Sequence, residues 1–258
     1  MVGYKQRRGG FQIHSGNLAP KTPVGQRHSR FLPWARAIKV HLIGYFRHGA
    51  QYCRRMTKAP GQAESSATLP RIYVIRHGET AWSLTGQHTG RTDLPLTPAG
   101  EAEARTLAGR LSGLSFDRVY SSPRLRACQT CELAGLGGKI EIEPDLAEWD
   151  YGAYEGLRVD EIRAQSPGWN IYRDGCPQGE SPEQIAARAD RLIARLRTLE
   201  GNLALFSHGH FSRILTVRWV GLPVPIASHL LINTASVSML TYESSRSRPV
   251  IGLWNSLR

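Results

Sequence analysis

The stretch Arg71-Ile-Tyr-Val-Ile-Arg-His-Gly-Glu-Thr80 decides the fold of this 258-residue chain. Its four apolar residues, 72–75, are bounded by charged residues, a pattern typical of a buried strand. Gly78 follows and lets the backbone turn sharply. Because ligands of open α/β sheets bind at the carboxyl ends of the strands, Arg76 and His77 are expected at a ligand site.

The side chains of Arg76 and His77 suit phosphate chemistry. Arginine offers a planar cationic fork for phosphate, and histidine can act as a nucleophile or carry a proton. The tripeptide alone is equally consistent with a strand end that carries solvated basic residues. The rest of the chain must therefore decide between the two interpretations.

A second apolar strand ends in the same way as the first. Leu203-Ala-Leu-Phe206 runs directly into Ser207-His-Gly-His210. One histidine at a strand end is usually packed or solvated, but two apolar strands that each lead into His-Gly are hard to ascribe to packing. The pair predicts a functional site at the sheet edge.

A candidate anion site follows the predicted strand Phe116–Tyr120. In Ser121-Ser-Pro-Arg124, Ser122 is predicted to cap a helix that Pro123 begins, with Arg124 in its first turn. A helix N-terminus that carries an arginine binds anions readily. The alternative is an exposed arginine at a helix start.

The candidate acids lie between Pro144 and Gly156, where acids, aromatics and glycines alternate without a helical or strand period. This pattern predicts a shaped loop whose aromatic side chains wall a pocket. Glu148 and Glu155 are the candidates. Each alone would be a solvated loop carboxylate, so either one is a functional candidate only if it lies close to the histidines.

The positive charge of the chain is confined to one end. The whole chain has a formal net charge of +12, but residues 1–68 hold 12 of its 33 Lys/Arg and only one of its 21 acids. Residues 69–258 are therefore nearly neutral, at +1. A nucleic-acid groove across the folded part is not expected, and no apolar run is long enough for a membrane span.

We expect residues 1–68 to be a basic, disordered extension and residues 69–258 to be the catalytic domain. Three interpretations of the extension stay open: a transit-type presequence, an arm for nucleic acid or membrane, and a start site assigned too early, with translation beginning at Met56. The last is favoured because nothing upstream of Met56 looks needed by the fold.

The four cysteines predict no disulfide framework. Cys128-Gln-Thr-Cys131 has the spacing of a redox motif or a zinc half-site, but no second pair accompanies it. A structural role in helix packing and a reducing, cytoplasmic location are therefore expected. The oligomeric state is left open.

Taken together, these motifs resemble the histidine phosphatase superfamily, which includes the cofactor-dependent phosphoglycerate mutases. The resemblance covers about residues 70–256 and follows the order of the family's motifs. They are Arg76-His77-Gly78, Thr89-Gly90, Leu96-Thr-Pro-Ala-Gly100, Ser121-Ser-Pro-Arg124, Glu148 with Gly152, Glu155-Gly156 and Ser207-His208-Gly209. It implies a three-layer α/β/α sandwich with a mostly parallel central sheet.

The resemblance also implies a role for each motif residue. His77 is the nucleophile of a phosphohistidine intermediate, Arg76, Arg124 and His208 surround the phosphoryl group, and Glu148 donates and accepts the proton. Substrate contacts are implied for Ser83, Thr89, Gly90, Tyr151, Gly209, His210 and Arg213. Ser83 replaces an asparagine common in the family, so its contact is shortened or lost. Neither a metal nor an organic cofactor is implied.

Within the superfamily the chain is most similar to the sedoheptulose-bisphosphatase-like sugar-phosphate phosphatases. The residues that carry this likeness include 82–90, 148–157, 169–176 and His208-Gly-His210 with Arg213. The expected activity is metal-independent hydrolysis of a sugar mono- or bisphosphate. The alternatives are a phosphoglycerate mutase, which would need a paired-arginine insertion that is missing between Glu148 and His208, and an inactive binding module recruited by the basic arm.

Overall fold

The computed structural model describes residues 69–258. The predictions made for residues 1–68, including the alternative start at Met56, lie outside the described residues. Across residues 69–258, no helix is both long enough and apolar enough to cross a bilayer.

Within residues 69–258, six strands build one mixed sheet. They are β1 (Arg71–Arg76), β2 (Arg118–Ser121), β3 (Ile140–Ile142), β4 (Asn202–Ser207), β5 (Val237–Tyr242) and β6 (Pro249–Ser256). Their order in the sheet is β3-β2-β4-β1-β5-β6. Strands β1 to β4 are parallel, whereas β5 and β6 form an antiparallel hairpin at one edge. The predicted α/β class and mostly parallel sheet are confirmed.

In the described part of the chain, seven α-helices connect and cover the strands. They are α1 (Ala81–Thr85), α2 (Pro98–Leu111), α3 (Leu125–Leu133), α4 (Val159–Gln165), α5 (Ile171–Asp174), α6 (Pro182–Leu196) and α7 (Gly209–Trp219). Short 3-10 turns occupy Gly137–Lys139, Pro144–Leu146, Gly152–Tyr154 and Val224–His229.

The three layers follow from alternation along the strands. In β1, Ile72 and Val74 pack in one apolar cluster with residues of α6 and α7. Tyr73 and Ile75 point to the other face and pack with residues of α2 and α3. Successive side chains of a strand lie on opposite faces, so a fully apolar strand requires helices on both sides. This requirement makes β1 and β4 the two central strands.

Strands β1 and β4 end side by side. Arg76 pairs with Ser207 at the last register position, and the backbone N–H of His77 donates to the carbonyl of Ser207 over 3.0 Å. The two His-Gly motifs therefore meet at one sheet edge, as the sequence predicts. The ring centroids of His77 and His208 lie 5.2 Å apart.

Gly78 allows this edge to close against α2. A Cβ atom on Gly78 would lie 2.4 Å from the carbonyl oxygen of Gly100, which is far inside van der Waals contact. The N–H of Gly78 also donates to the hydroxyl of Thr130 over 3.0 Å. The residue after the histidine is thus a glycine because two segments of backbone approach closely there.

One local prediction is wrong. The helix after β2 begins at Leu125, not at Pro123, and Arg124 is its N-cap with an extended backbone rather than a first-turn residue. After Thr80 the chain forms the short helix α1, because Thr80 and Ser83 form a reciprocal capping box and Gly86 ends the helix in a left-handed conformation.

Candidate active site

The candidate site is a cavity of about 190 Å³ at the carboxyl ends of β1 and β4. It is lined by nine of the residues singled out in the sequence and by several that were not. The predicted residues are Arg76, His77, Ser83, Thr89, Glu148, Tyr151, Gly209, His210 and Arg213. Residues more than 130 positions apart in sequence thus share one small space.

The ring of His77 is fixed in one tautomer. Its Nδ1 lies 2.7 Å from the carbonyl oxygen of Gly78. A carbonyl can only accept, so Nδ1 carries the hydrogen and the Nε2 lone pair stays free. Burial, together with the nearby Arg126 and Arg76, lowers the pKa of His77 well below its ordinary value. The neutral ring is the form that can attack an electrophile.

Arg76 brings an unpaired cationic N–H group to the cavity. One terminal nitrogen donates to the carbonyl of Ile232 over 2.7 Å, which anchors the guanidinium. Its Nε is buried and has no partner among the described residues. A methyl group placed on Gly209 would lie 3.4 Å from this Nε and 3.7 Å from Oε2 of Glu148. The guanidinium and the carboxylate therefore converge at the start of α7.

Glu148 is held by three backbone N–H groups. Oε1 accepts from Trp149 over 2.9 Å and from Phe211 over 2.8 Å, and Oε2 accepts from His210 over 3.0 Å. Two of these donors belong to the first turn of α7, which satisfies N–H groups that the helix itself leaves open. The carboxylate thus caps the first turn of α7 and is held in a fixed position in the cavity wall.

His208 has both ring nitrogens engaged. Nδ1 accepts from Nε of Arg126 over 3.2 Å, so the hydrogen of the neutral ring is on Nε2, which lies 2.7 Å from the hydroxyl of Ser122. Burial and the neighbouring Arg126 lower the pKa of His208 well below its ordinary value. The Ser122 hydroxyl accepts from Nε2 and keeps its own hydrogen to donate.

Arg126 is the important residue that the sequence analysis missed. It is fully buried, and besides His208 it donates to the carbonyls of Thr89, Gly90 and Thr92. It therefore joins α3 to the 89–92 loop and to His208. The sequence carried no clear signal for it, because the helix start predicted at Pro123 put Arg124 in the first turn, whereas α3 begins at Leu125 and turns residue 126 inward.

Arg124 lies at the rim rather than at the centre of this network. It is partly exposed, its Nε is buried without a partner among the described residues, and it lines a second cavity on the other side of Glu148. That cavity, of about 220 Å³, also contains Arg188 and Glu180, which form a 2.7 Å ion pair. The predicted contact of Arg124 with a phosphoryl group stays a prediction.

Glu155, Gly90 and Ser83 shape the walls of the site. Oε1 of Glu155 accepts from the backbone N–H groups of Gly90 and Thr92, each over 2.9 Å, so this carboxylate shapes the loop rather than facing His77. Gly90 has no room for a side chain, since a Cβ would lie 2.6 Å from the carbonyl of Trp149. Ser83 uses its hydroxyl in the α1 capping box while it lines the cavity.

The outer half of the cavity is aromatic and histidine-rich. His210 shares a 2.7 Å hydrogen bond with the hydroxyl of Tyr151, and its ring stacks on that of His88 at 5.8 Å. Burial lowers the pKa of His210 well below its ordinary value and raises that of Tyr151 well above. His88, also missed from the sequence, donates from Nδ1 to Leu157 and so keeps Nε2 free as an acceptor.

Arg213 completes the wall with a guanidinium that donates to the hydroxyl of Tyr172 over 3.0 Å. Its Nε is buried and unpartnered within the described part of the chain. Among residues 69–258, no group of three or more His, Cys, Asp or Glu side chains is arranged as a metal site. Cys131 is fully buried in the α3 face of the core, where burial raises the pKa of its thiol.

Comparison with known proteins agrees with this geometry. The family model of the histidine phosphatase superfamily (branch 1) matches residues 72–256. An acid phosphatase of Mycobacterium tuberculosis is 46% identical over 189 residues, which cover 71% of this chain and 92% of that protein. The sedoheptulose 1,7-bisphosphatase of Saccharomyces cerevisiae is 40% identical over 187 residues, covering 60% of this chain and 69% of the yeast protein.

A solved structure also matches. The product of a Mycobacterium tuberculosis open reading frame is 39% identical and superposes with a TM-score of 0.67, covering 72% of this chain and 96% of its own. The resemblance noted from the sequence motifs is thus confirmed. The chain belongs to branch 1 of the histidine phosphatase superfamily and is a phosphoric monoester hydrolase of that family.

Proposed function

We propose that this phosphatase hydrolyses a sugar mono- or bisphosphate through a phosphohistidine formed on His77, without a metal ion. The observation that carries the proposal is the 2.7 Å contact from Nδ1 of His77 to the Gly78 carbonyl, which leaves Nε2 unprotonated in the cavity. The similarity to proteins named acid phosphatase and sedoheptulose 1,7-bisphosphatase supports the substrate class.

The proposed first half-reaction transfers the phosphoryl group to the protein. Nε2 of His77 forms the N–P bond as the P–O bond to the sugar breaks, and Glu148 as the carboxylic acid gives its proton to the leaving oxygen. Arg76 and the Ser122–His208–Arg126 network supply cationic and hydrogen-bonding groups for the charge on the phosphoryl oxygens.

The proposed second half-reaction regenerates His77. The Glu148 carboxylate takes a proton from water as the water oxygen attacks phosphorus, the N–P bond breaks, and inorganic phosphate leaves. Glu148 ends as the acid, ready for another ester. Each proton and each bond is accounted for by groups of the chain, the ester and water.

The contacts of three arginines on α6 favour a phosphatase over the mutase alternative. Arg188 binds Glu180 and the carbonyls of Asp145 and Ala147, and Arg191 and Arg195 bind Asp145. These arginines are already engaged with the protein, so none of the three is free to grip a phosphoglycerate carboxylate. An inactive binding module is disfavoured because His77, Arg76, Glu148 and His208 are all present and close together.

The test is phosphate release from a panel of sugar mono- and bisphosphates in the presence of a chelator. We expect wild type to hydrolyse at least one of them with unchanged rate, His77→Ala to lose about 10⁴-fold or more in kcat, and the exposed control His229→Ala to behave as wild type. Equal rates for His77→Ala and wild type would overturn the mechanism. Loss of activity under chelator, restored by added metal, would overturn metal independence.

The mutase alternative has its own readout. Wild type incubated with 3-phosphoglycerate and the bisphosphoglycerate cofactor should release phosphate faster than it forms the 2-phospho isomer. Isomer formation that outpaces phosphate release would replace the phosphatase proposal with a mutase.

A further inference from the structure

A single peptide group joins the ring of His77 to a carboxylate of α2. The carbonyl of Gly78 accepts from Nδ1 of His77 over 2.7 Å, and the N–H of Glu79 donates to Oε2 of Glu103 over 3.0 Å. This carbonyl and this N–H belong to the same planar, trans peptide unit, so they point in opposite directions. Glu103 is therefore connected to the His77 ring through two hydrogen bonds, although it does not line the His77 cavity.

The carboxylate of Glu103 is held at both of its oxygens. Oε2 accepts from the N–H of Glu79, and Oε1 accepts from the hydroxyl of Thr234 over 3.1 Å. Glu103 is partly buried, and both donors are neutral groups, so they orient the carboxylate without cancelling its charge. A negative charge is thus fixed behind the Gly78–Glu79 peptide.

The preceding peptide, between His77 and Gly78, is fixed as well. The carbonyl of His77 accepts from the N–H of Ala235 over 3.1 Å, and the N–H of Gly78 donates to the hydroxyl of Thr130 over 3.0 Å. Rotation of this peptide would break bonds to both α3 and the loop before β5. The Gly78 carbonyl is therefore aimed at Nδ1 before a substrate binds, and it needs no rearrangement when charge develops on the ring.

The charge on the His77 ring changes during the proposed reaction. When Nε2 forms the N–P bond and the P–O bond breaks, the hydrogen stays on Nδ1, so the ring gains positive charge and keeps it in the phosphohistidine. The Gly78 carbonyl shares this charge through its hydrogen bond. Because hydrogen bonds in a chain polarise one another, a peptide that donates to a carboxylate is a stronger acceptor at its carbonyl. The aspartate of a Ser-His-Asp triad stabilises an imidazolium in the same sense, by direct contact.

We propose that Glu103 is a positioning residue for the reaction: its carboxylate acts through the Gly78–Glu79 peptide to stabilise the positively charged ring of His77. The stabilisation applies to the transition state and to the phosphohistidine. This inference rests on the proposed function for the phosphohistidine itself. The chain of hydrogen bonds from Glu103 to His77 is present in the protein without substrate.

Glu103 also acts on Arg76, and this second effect has the opposite sign. Burial lowers the pKa of the Arg76 guanidinium, and Glu103 is among the negative charges that oppose the shift. Loss of the Glu103 charge would leave the field of Arg76 less compensated at the phosphoryl group, which by itself would speed phosphorylation. Slower phosphorylation after that loss must therefore come from the His77 side.

The test measures the two half-reactions separately by rapid quench with p-nitrophenyl phosphate, whose phenolate leaves with little help from an acid. Glu103→Gln keeps an oxygen for the Glu79 N–H and an amide that donates to the Thr234 hydroxyl, but it removes the charge. We expect the phosphohistidine to form about tenfold more slowly. Its hydrolysis, followed as decay of the phosphoprotein once the ester is spent, should be as fast as in wild type or faster, because the charged ring is then less stable.

Two further variants separate charge from folding, since a purely structural loss would slow both half-reactions together. Glu103→Asp keeps the charge with poorer hydrogen-bond geometry and should form the phosphohistidine faster than Glu103→Gln. Glu101→Gln, which removes a carboxylate of the same helix that pairs with Arg105, should behave as wild type. Equal slowing of both steps in Glu103→Gln, unchanged formation, or slower formation in Glu103→Asp than in Glu103→Gln would overturn the inference.

Failure of the proposed function would look different, because wild type would then form no phosphohistidine. The hydrogen-bond chain would still be tested by proton NMR of protein labelled with ¹⁵N-histidine, without substrate. The Nδ1–H signal of His77 should move upfield in Glu103→Gln because its hydrogen bond weakens. The Nδ1–H signal of His88, which donates to the Leu157 carbonyl over 2.7 Å, should stay in place. A His77 signal that does not move would overturn the inference in that case as well.

Discussion

Nε of Arg126 donates a hydrogen bond to Nδ1 of His208 over 3.2 Å, and this contact determines the protonation pattern on that side of the site. Because Nδ1 is an acceptor, the ring hydrogen is on Nε2 and points to Ser122. The same guanidinium holds the carbonyls of the 89–92 loop. One buried side chain thus ties the orientation of His208 to the shape of the cavity wall.

Replacement of Arg126 should therefore cost more than replacement of Arg124. Arg126→Gln leaves buried carbonyls and Nδ1 of His208 without a donor, and we expect kcat/KM to fall by about 10²-fold or more, with loss of about 2–4 kcal/mol of stability. Arg124→Gln changes a partly exposed residue and should lower stability by less than about 1 kcal/mol. Steady-state kinetics and urea unfolding of both variants test whether Arg126→Gln is the more damaging substitution. Equal stability losses in the two variants would contradict this expectation.

Stability should fall as the pH drops below about 6.5. Burial lowers the pKa of His77, His208 and His210 in the folded protein. The unfolded chain therefore binds protons near pH 6.5, whereas these rings stay neutral in the folded protein. The contribution of each ring to the free energy of unfolding is fully present above that pH and is lost as the pH falls towards the folded pKa. Each ring accounts for up to about 1.4 kcal/mol per pH unit.

Urea unfolding at pH 7.5 and 5.5 measures this dependence. His210→Gln should show a smaller loss of stability between the two pH values than wild type, whatever its stability at pH 7.5. His229→Gln removes an exposed histidine and should leave the pH dependence as it is in wild type. A loss in His210→Gln that matches wild type would contradict the buried, neutral state of His210.

Gly78 and Gly109 offer a matched pair of glycine substitutions. Gly78→Ala would force a Cβ to within 2.4 Å of the Gly100 carbonyl, whereas nothing lies within 4 Å of a Cβ on Gly109 in α2. Gly78→Ala should destabilise the protein by about 2 kcal/mol or more and impair activity, because β1 and α2 must separate. Gly109→Ala should stabilise it by about 0.5–1 kcal/mol. Thermal unfolding of the two variants measures these changes in stability. Similar effects from both substitutions would count against the close approach of backbone at Gly78.

The sequence predicted the fold best where the local pattern of apolar residues and the tertiary structure agree. The apolar runs of β1 and β4 are short, continuous and bounded by charge or glycine, which is possible only for strands covered on both faces. Their ends could be aligned from sequence because parallel strands share a ligand-binding edge. That reasoning placed Arg76, His77 and His208 at one edge, and the family resemblance added Glu148 and His210.

It failed where side-chain competition decides the local structure. The hydroxyl of Ser122 bonds with His208 and accepts from the N–H of Arg124 over 3.3 Å, while α3 begins at Leu125, two residues later than predicted. Arg126, not Arg124, is therefore the buried arginine at the start of α3. Glu155 matched an acid role by type, but only the fold shows that it binds loop N–H groups. His88 has no distinguishing neighbours in sequence and is defined by rings from distant segments.

The central claim is that Nε2 of His77 is the nucleophile, and trapping the intermediate tests it most directly. Protein mixed with substrate, quenched in alkali and digested should carry phosphate on His77, and ³¹P NMR should assign it to Nε2 because Nδ1 is occupied by the Gly78 carbonyl. Phosphate on another side chain, or on Nδ1 of His77, would contradict the account. The account would also be contradicted if wild type turned over rapidly without forming a phosphoprotein and His77→Ala turned over just as fast.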